Sequence, residues 1–229
     1  MQRDLEGLTI VVTGGAGALG GAVVQELVDA GAAVVVPAID DGPSEPVAGA
    51  RYVPRIDLSQ ETAVAALYLE LPSLWASVHL AGGFVWSKLE DTTLAMVQAQ
   101  WTLNTATAFL CCRAAVAKIR ATGKQGGRLV NTVARAVAQP SAGLSAYAMA
   151  KGAVAALTTQ LAEELRDEGI SVNAIAPGLI DTPANRKSMP DADASRWTKP
   201  TEIARTIHAL VSPALSVTSG AVVPVYGRS

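Results

Sequence analysis

The 229 residues suit one α/β domain around one continuous core, and with 50% hydrophobic against 17% charged residues, disorder has no compositional support. The net charge is −2 with no Lys/Arg cluster, so a nucleic-acid footprint is lacking, and no apolar run approaches the ~18 residues that span a bilayer. The only cysteines, Cys111 and Cys112, are adjacent and the two histidines are isolated, so no disulfide and no metal site are expected. The N-terminal residues do not form a signal peptide, and a reducing cytoplasm is the expected location.

Residues 8–12 form a short apolar run closed by Thr13 and a glycine cluster from Gly14 to Gly20. Leu19, Val23 and Leu27 then recur every four residues until Gly31 ends the pattern. The order is strand, glycine loop, helix, and residues 15–20 fit G-x-G-x-x-G in the context that gives that motif meaning. Gly14, Gly17, Ala18, Leu19 and Gly20 would bring a pyrophosphate against backbone N–H groups at the helix N-terminus. A second apolar strand over 33–39 is ended by Asp40, twenty residues after Gly20. A carboxylate there accepts hydrogen bonds from adenosine ribose hydroxyls and repels a 2′-phosphate. No arginine immediately follows, so NAD(H) is favoured over NADP(H).

Residues 41–50 read as a loop and 52–56 as a third strand, with Asp57-Leu58-Ser59 as a strand end and helix cap before a helix over 61–71. A fourth strand over 76–80 ends in Ala81-Gly82-Gly83, where missing side chains let a cofactor lie against the backbone. Phe84 and Trp86 follow in a chain with 4% aromatics, either as pocket walls or as loop anchors. One long helical pattern over 94–121 holds Asn104, and 127–134 gives a fifth strand followed by a loop.

The next segment keeps apolar residues at Ala150, Val154, Leu157, Leu161 and Leu165, which puts Tyr147 and Lys151 one helical turn apart on a shared face. A phenol has a pKa near ~10, and an ammonium held beside it favours phenolate, so the pair suits proton exchange with an alcohol or carbonyl. The competing reading is a surface tyrosine and a solvated lysine on an amphipathic helix. A sixth strand over 170–175 is closed by Pro177-Gly178, and 179–199 is a polar excursion long enough to be a substrate lid. Thr201 is expected to cap a last helix through 211, and 221–225 is the last strand. The alternation without a composition break predicts a single domain over 1–229. Its fold class is α/β, a Rossmann-type doubly wound parallel sheet of about seven strands with helices on both faces and the ligand across the strands' carboxyl ends.

With Thr13-Gly14-Gly-Ala-Gly-Ala-Leu-Gly20, Tyr147-x-x-x-Lys151 and Asn173-Ala-Ile-Ala-Pro-Gly178, the chain resembles the short-chain dehydrogenase/reductase family over essentially its whole length. The resemblance implies that Tyr147 donates or accepts the proton, that Lys151 binds the nicotinamide ribose and lowers the tyrosine's pKa, and that Asn104 supports a relay water. It implies that Asp57 and Leu58 hold the adenine end, that Ala81, Gly82 and Pro177 flank the cofactor, and that Ile180 and Thr182 hold its carboxamide and phosphate region. Three departures stand out. Ala18 replaces the usual third glycine, His79-Leu-Ala-Gly82 replaces Asn-Asn-Ala-Gly, and Ala134 replaces the substrate-orienting serine thirteen residues before the tyrosine. Thr132 shares that face of the strand one pleat back, about 6.5–7 Å away, and is a poor substitute.

Within the family the chain is most similar to the dihydropteridine reductase branch. The shared stretches are Ala81-Gly-Gly83, Tyr147-x-Met-Ala-Lys-Gly-Ala-Val154, Asp181-Thr-Pro-x-Asn-Arg-Lys-Ser-Met-Pro190 and Ala-Asp-x-Ser-x-Trp197, and that branch also has alanine for the serine. It carries tryptophan where this chain has Phe84. The similarity implies NADH-dependent reduction of a conjugated pterin-like or carbonyl substrate, lined by Phe84, Trp86, Ala134, Asn185 and Trp197. A generic alcohol, ketone or 3-oxoacyl reductase and a non-catalytic NAD-binding sensor or subunit are the alternatives. A homodimer or homotetramer is implied, through the helix holding Asn104 and the Tyr147 helix.

Overall fold

A computed structural model describes residues 3–122 and 126–228. Its seven strands are β1 Thr9–Thr13, β2 Ala33–Pro37, β3 Arg51–Val53, β4 Ala76–His79, β5 Gly127–Thr132, β6 Ile170–Pro177 and β7 Val222–Val225. They form one sheet in the order β3-β2-β1-β4-β5-β6-β7, and every pairing is parallel. All five residues of β1 are buried, as a central parallel strand covered on both faces requires. The order reverses between β1 and β4, which opens a crevice above the carboxyl ends of the strands.

Side-chain alternation divides the core. Ile10 and Val12 of β1 face one cluster, with Val23, Val24 and Leu27 of α1 (Ala18–Asp29) and Ile203 and Ile207 of α8 (Pro200–Val211). Val11 between them faces the other. That cluster takes Leu67 of α2 (Glu61–Leu69), Ala115 and Ile119 of α4 (Thr107–Ala121), and Ala162 of α6 (Ser145–Glu164).

Several expectations are corrected. The helix expected over 94–121 is broken into α3 (Leu94–Gln100), a π-helical turn over Trp101–Ala106, and α4. Asn104 lies in that turn, and its Nδ2 donates to the Gln100 carbonyl and, 21 residues back, to the Gly83 carbonyl, both at 3.0 Å. Single π turns of this kind are frequent at functional sites. The third strand ends at Val53 because Pro54 has no N–H to donate to a ladder. The fifth stops at Thr132, and a short helix α5 (Arg135–Ala138) replaces part of the expected loop, while the sixth runs on to Pro177. Thr201 does not cap α8; the Glu202 carboxylate reaches back to accept the Lys199 N–H at 2.8 Å. The excursion over 179–199 holds helix α7 (Pro183–Ser188), and its two ends are tied by Thr198 N–H to Leu179 O and Asp181 N–H to Thr198 O.

Candidate active site

The β1–α1 turn is built around what its glycines lack. Gly14 has φ 70°, a left-handed conformation that favours glycine, and a Cβ on it would stand 2.7 Å from Ala81 N. A Cβ on Gly20 would lie 2.0 Å from the Gly14 carbonyl oxygen, so this part of the turn closes only without a side chain. The helix it opens starts at Gly17 with no side-chain cap and no acidic residue in its first turn. Its first N–H groups therefore point toward the crevice without an intrahelical partner, in a partial positive field that suits a pyrophosphate. Ala18 and Leu19 begin the helix, so the alanine in the third glycine's place costs the turn nothing.

At the ends of β2 and β3, Asp40 is exposed and its carboxylate accepts the Gly42 N–H at 3.0 Å. Asp57 accepts from both the Ser59 N–H, at 2.9 Å, and the Ser59 hydroxyl, at 2.7 Å, which hold its carboxyl below the usual range. This turn precedes α2, whose own cap is Gln60, and Leu58 is half-buried beside it. Ala81 donates to the Thr13 hydroxyl at 3.3 Å, which ties the end of β4 to the glycine turn.

Across the crevice, Lys151 and Asn104 converge on Gly82. A Cβ there would stand 2.5 Å from Asn104 Oδ1 and 3.4 Å from Lys151 Nζ. Asn104 Oδ1 accepts the Gly83 N–H at 3.3 Å, and Thr105 Oγ1 donates to the Ala150 carbonyl at 2.9 Å, which pins the π turn to the tyrosine helix. Lys151 is buried, and Nζ donates to the Thr132 carbonyl at 2.9 Å and lies 5.9 Å from the Tyr147 ring centroid. The Phe84 ring meets Tyr147 edge-on, with centroids 5.0 Å apart.

The electrostatics differ from the simple pairing expected from the spacing. Burial pushes the Tyr147 phenol up to about 12 and the Lys151 ammonium down to about 8, because each charged form loses hydration. By itself the lysine does not turn the tyrosine into a phenolate. It keeps a proton source and a buried amine one helical turn apart.

The substrate-side residues divide. Phe84 and Trp86 are 66% and 58% exposed, and Trp86 is also anchored, its Nε1 donating to the Ala142 carbonyl at 3.1 Å. Ala134 is buried at the start of α5 and offers no hydroxyl. The Thr132 hydroxyl is buried without a partner. Trp197 is buried, so little of its ring is left to form a wall. The Asn185 amide donates to the Ile180 carbonyl at 2.8 Å, and Arg186 pairs with Asp181, so the expected contact Asn185 and its neighbour are both engaged within the excursion. Thr182 Oγ1 caps α7 by accepting the Asn185 N–H, and Pro177 ends β6 on the crevice edge.

Sequence reasoning missed a buried chain of polar groups behind the site. Thr158 Oγ donates to the Val154 carbonyl and accepts from Asn131 Nδ2, which leaves Asn131 Oδ1 facing His79 Nδ1 at 2.8 Å. Nδ1 therefore carries the proton, and Nε2 accepts from Ser77, which in turn accepts from Tyr68. His79 is held neutral, its pKa pushed down to about 4 by burial. The only signal in the sequence was a histidine where the resemblance implies asparagine.

A crevice with an uncapped helix N-terminus at one end and a half-buried phenol beside a buried lysine at the other fits a dinucleotide-dependent oxidoreductase. A family model described as short chain dehydrogenase matches residues 8–193, and the chain belongs to that family. It is 34% identical, over 96% of its length and 95% of the relative's, to a 2,5-dichloro-2,5-cyclohexadiene-1,4-diol dehydrogenase of Sphingobium indicum. It is 33% identical, over 95% and 94%, to a cis-4-hydroxycyclohexanecarboxylate dehydrogenase of Sinomonas cyclohexanicum. A solved short chain dehydrogenase/reductase family protein superposes with a TM-score of 0.89 at 30% identity, covering 98% of this chain and 97% of that one. Among the described residues no helix is long and apolar enough to cross a membrane, and no cluster of three or more His, Cys, Asp or Glu is arranged to hold a metal ion.

Proposed function

We propose that this chain is an NAD(H)-dependent oxidoreductase acting on a six-membered ring that carries oxygen at the reacting carbon, with Tyr147 as the proton donor or acceptor. The observation that carries the reading is the Tyr147 phenol packed edge-on against exposed Phe84, with buried Lys151 one turn away. Bound in the crevice, NAD(H) would supply or accept the hydride. The chain's own part is to hold the pyrophosphate at Gly14, Gly17, Ala18, Leu19 and Gly20, the adenosine at Asp40, Asp57 and Leu58, and the nicotinamide end at Ala81, Gly82, Pro177, Ile180 and Thr182. Lys151 keeps a positive charge near the phenol, and a hydroxyl-bearing ligand against it would favour the ammonium and with it proton exchange at Tyr147 Oη. Phe84 and Trp86 offer apolar faces to a ring, and two of the relatives are named for hydroxylated six-membered rings.

The preference for NADH rests on the Asp40 carboxylate. A conjugated pterin-like ring is the second reading, favoured by Ala134, because charge spread over several heteroatoms depends less on one fixed hydroxyl. The domain would span 1–229, with 179–199 as lid, in a cytoplasmic homodimer or homotetramer. Leu103, Phe109 and Met149, each 45–55% exposed on the Asn104 segment, α4 and α6, would meet a second copy. The test is absorbance at 340 nm with three substrate classes: hydroxylated cyclohexanes and cyclohexadienes with NAD, quinonoid dihydropterin with NADH, and acyclic ketones with NADH. Turnover of ring alcohols above acyclic ketones supports the reading. Turnover of pterin alone moves it to the second. Silence on all three with NADH still bound leaves a non-catalytic sensor.

A further inference from the structure

Arg128 stands at the amino end of β5, the end away from the crevice, and is 4% exposed. Val130, two residues on, belongs to the cluster under α1 and α8, so alternation turns Arg128 to that face. Among the described residues its side chain makes one hydrogen bond, from Nη1 to the carbonyl of its own neighbour Gly127, at 2.9 Å. Nε is buried without a partner, and the guanidinium carbon lies 4.8 Å from the Trp75 ring centroid. No carboxylate among the described residues pairs with it, and burial pushes its pKa down. Arginine keeps its charge even so.

Charges inside proteins are paired, because an isolated one loses its hydration for nothing in return. An aromatic ring against the guanidinium recovers part of that loss. It leaves free the edge formed by Nε and the second terminal nitrogen, the edge that grips a carboxylate or phosphate through two parallel hydrogen bonds. The next strand brings a third donor. Ser171 of β6 is the register partner of Arg128, and residues paired in parallel strands share a face one strand spacing apart, about 4.8 Å. Its hydroxyl is also buried and unpartnered. Three side-chain atoms are orphaned in this way among the described residues, and two of them belong to this one cross-strand pair. Trp75 is half-buried, and its Nε1 donates to the Val211 carbonyl at 2.8 Å, which holds the ring against the arginine with part of it at the surface.

We propose that Arg128, Ser171 and Trp75 form a binding site for a small oxyanion, a carboxylate or a phosphate, at the amino end of the sheet. The Arg128 fork meets two of its oxygens, the Ser171 hydroxyl donates to one of them, and the Trp75 ring covers the guanidinium. The ion supplies the partner that burial denies the arginine, so it stabilises the fold and takes no part in the reaction. The site joins β5, β6 and the residue before β4 at the ends away from Tyr147. It stands whatever the crevice binds.

The test is thermal unfolding of the full chain at neutral pH in chloride, acetate, sulfate and phosphate at matched ionic strength. In the wild type at least one oxyanion should raise the melting point by a few degrees and saturate in the millimolar range, while chloride does not. A stronger response to acetate makes it a carboxylate site, and a stronger response to phosphate or sulfate a phosphate site. Excluded salts also stabilise proteins that have no site, but that effect grows with concentration without saturating. Arg128→Met should lose the saturating part alone. In chloride it should melt no lower than the wild type, because a buried charge without a partner is gone, and this also shows that it is folded. Arg128→Lys keeps a charge without the fork and should bind at least tenfold more weakly, and Ser171→Ala several-fold more weakly. NADH affinity should be the same in all of them. A saturating rise that survives in Arg128→Met, a wild type that shows none, or an Arg128→Met variant that melts well below the wild type in chloride overturns the proposal.

Discussion

On the β1–β3 side of the crevice, Gly14 and Gly20 act by having no side chain, and the contacts they permit are between backbone atoms. On the β4–β6 side, Tyr147, Lys151 and Asn104 act through side chains whose positions depend on Phe84, Thr132 and Gly83, all distant in the chain. Backbone requirements leave a mark in the sequence, because only glycine satisfies them. Side-chain environments leave almost none. The two halves should therefore fail differently, one through folding and nucleotide affinity, the other through proton chemistry and pH.

The sharpest way to break the comparison is within the glycine turn. Gly20→Ala sets a Cβ 2.0 Å from the Gly14 oxygen, so the turn must open; the expected loss is about 3 kcal/mol or more, with NADH binding gone. Gly17→Ala meets only an ordinary 3.5 Å contact with the same oxygen. It should melt like the wild type yet bind NADH more weakly, because a methyl at the helix start stands where the pyrophosphate approaches. Thermal melts and fluorescence titration of both variants check this, and equal melting points would mean that the turn is looser than the structure shows.

This contrast also explains what was legible. The glycine loop, the seven strands and the one-turn spacing of Tyr147 and Lys151 are periodicities within short windows. The π turn is not, because Asn104 needs the Gly83 carbonyl to hold it. The ion pair of Arg55 with Asp41 at the ends of β2 and β3 is not either, because it joins residues fourteen apart. Trp197 and Asn185 read as substrate contacts because residue type alone does not report that one is buried and the other bonded to Ile180. The lysine's effect on the phenol was misjudged for a related reason: burial, which spacing does not encode, outweighs the neighbouring charge.

On the side-chain half, the largest effect expected is on stability against pH. His79 titrates near its unfolded value of 6.5 when the chain is open and at about 4 when folded. Its neutral form is fully compatible with the fold above pH 6.5, and stability falls as the pH drops from 6.5 to 4, by roughly 3 kcal/mol at the acid end. His208 has the opposite sign. Burial lowers its pKa, but the hydrogen bonds it donates to the Glu26 and Asp4 carboxylates outweigh that and raise it, so its contribution is present below pH 6.5 and is lost as the pH rises through its folded value. Denaturant melts at several pH values should show a His79→Asn variant with a flatter acid limb, whereas His208→Gln should flatten the limb above 6.5. A wild-type acid limb unchanged in His79→Asn would refute the neutral buried histidine.

Tyr147→Phe comes next, at about 10²-fold or more in kcat, roughly 2.7 kcal/mol, with NADH affinity nearly unchanged. Lys151→Ala should lower both, since it removes the cation and leaves the Thr132 carbonyl without its 2.9 Å donor. Because the phenol is held near 12 and the ammonium near 8, the reductive rate should stay level to about pH 8 and then fall as Lys151 loses its proton. Wild-type turnover by Tyr147→Phe would mean that the proton comes from water or the substrate.

The smallest change tests whether the substrate half lacks a part or was built without it. Ala134 precedes α5 with an extended backbone and a buried methyl, and the hydroxyl of Thr132, two residues earlier, is buried and unpartnered. A donor at 134 would reach an oxygen on the reacting carbon, where charge develops during hydride transfer, and such donors are worth 10²–10³-fold where the rest of the site is arranged for them. Here it is not, so Ala134→Ser should raise kcat/KM for simple ketones by roughly tenfold, about 1.4 kcal/mol, and change ring-substrate turnover less. The added hydroxyl is small, but it enters a buried position, and a melting point lowered by a few degrees is expected unless it finds an acceptor. The comparison is kcat/KM for both substrate classes in wild type and Ala134→Ser. A ketone rate already high in the wild type and indifferent to the serine would show that another group, with the Thr132 hydroxyl the nearest at hand, takes the serine's part.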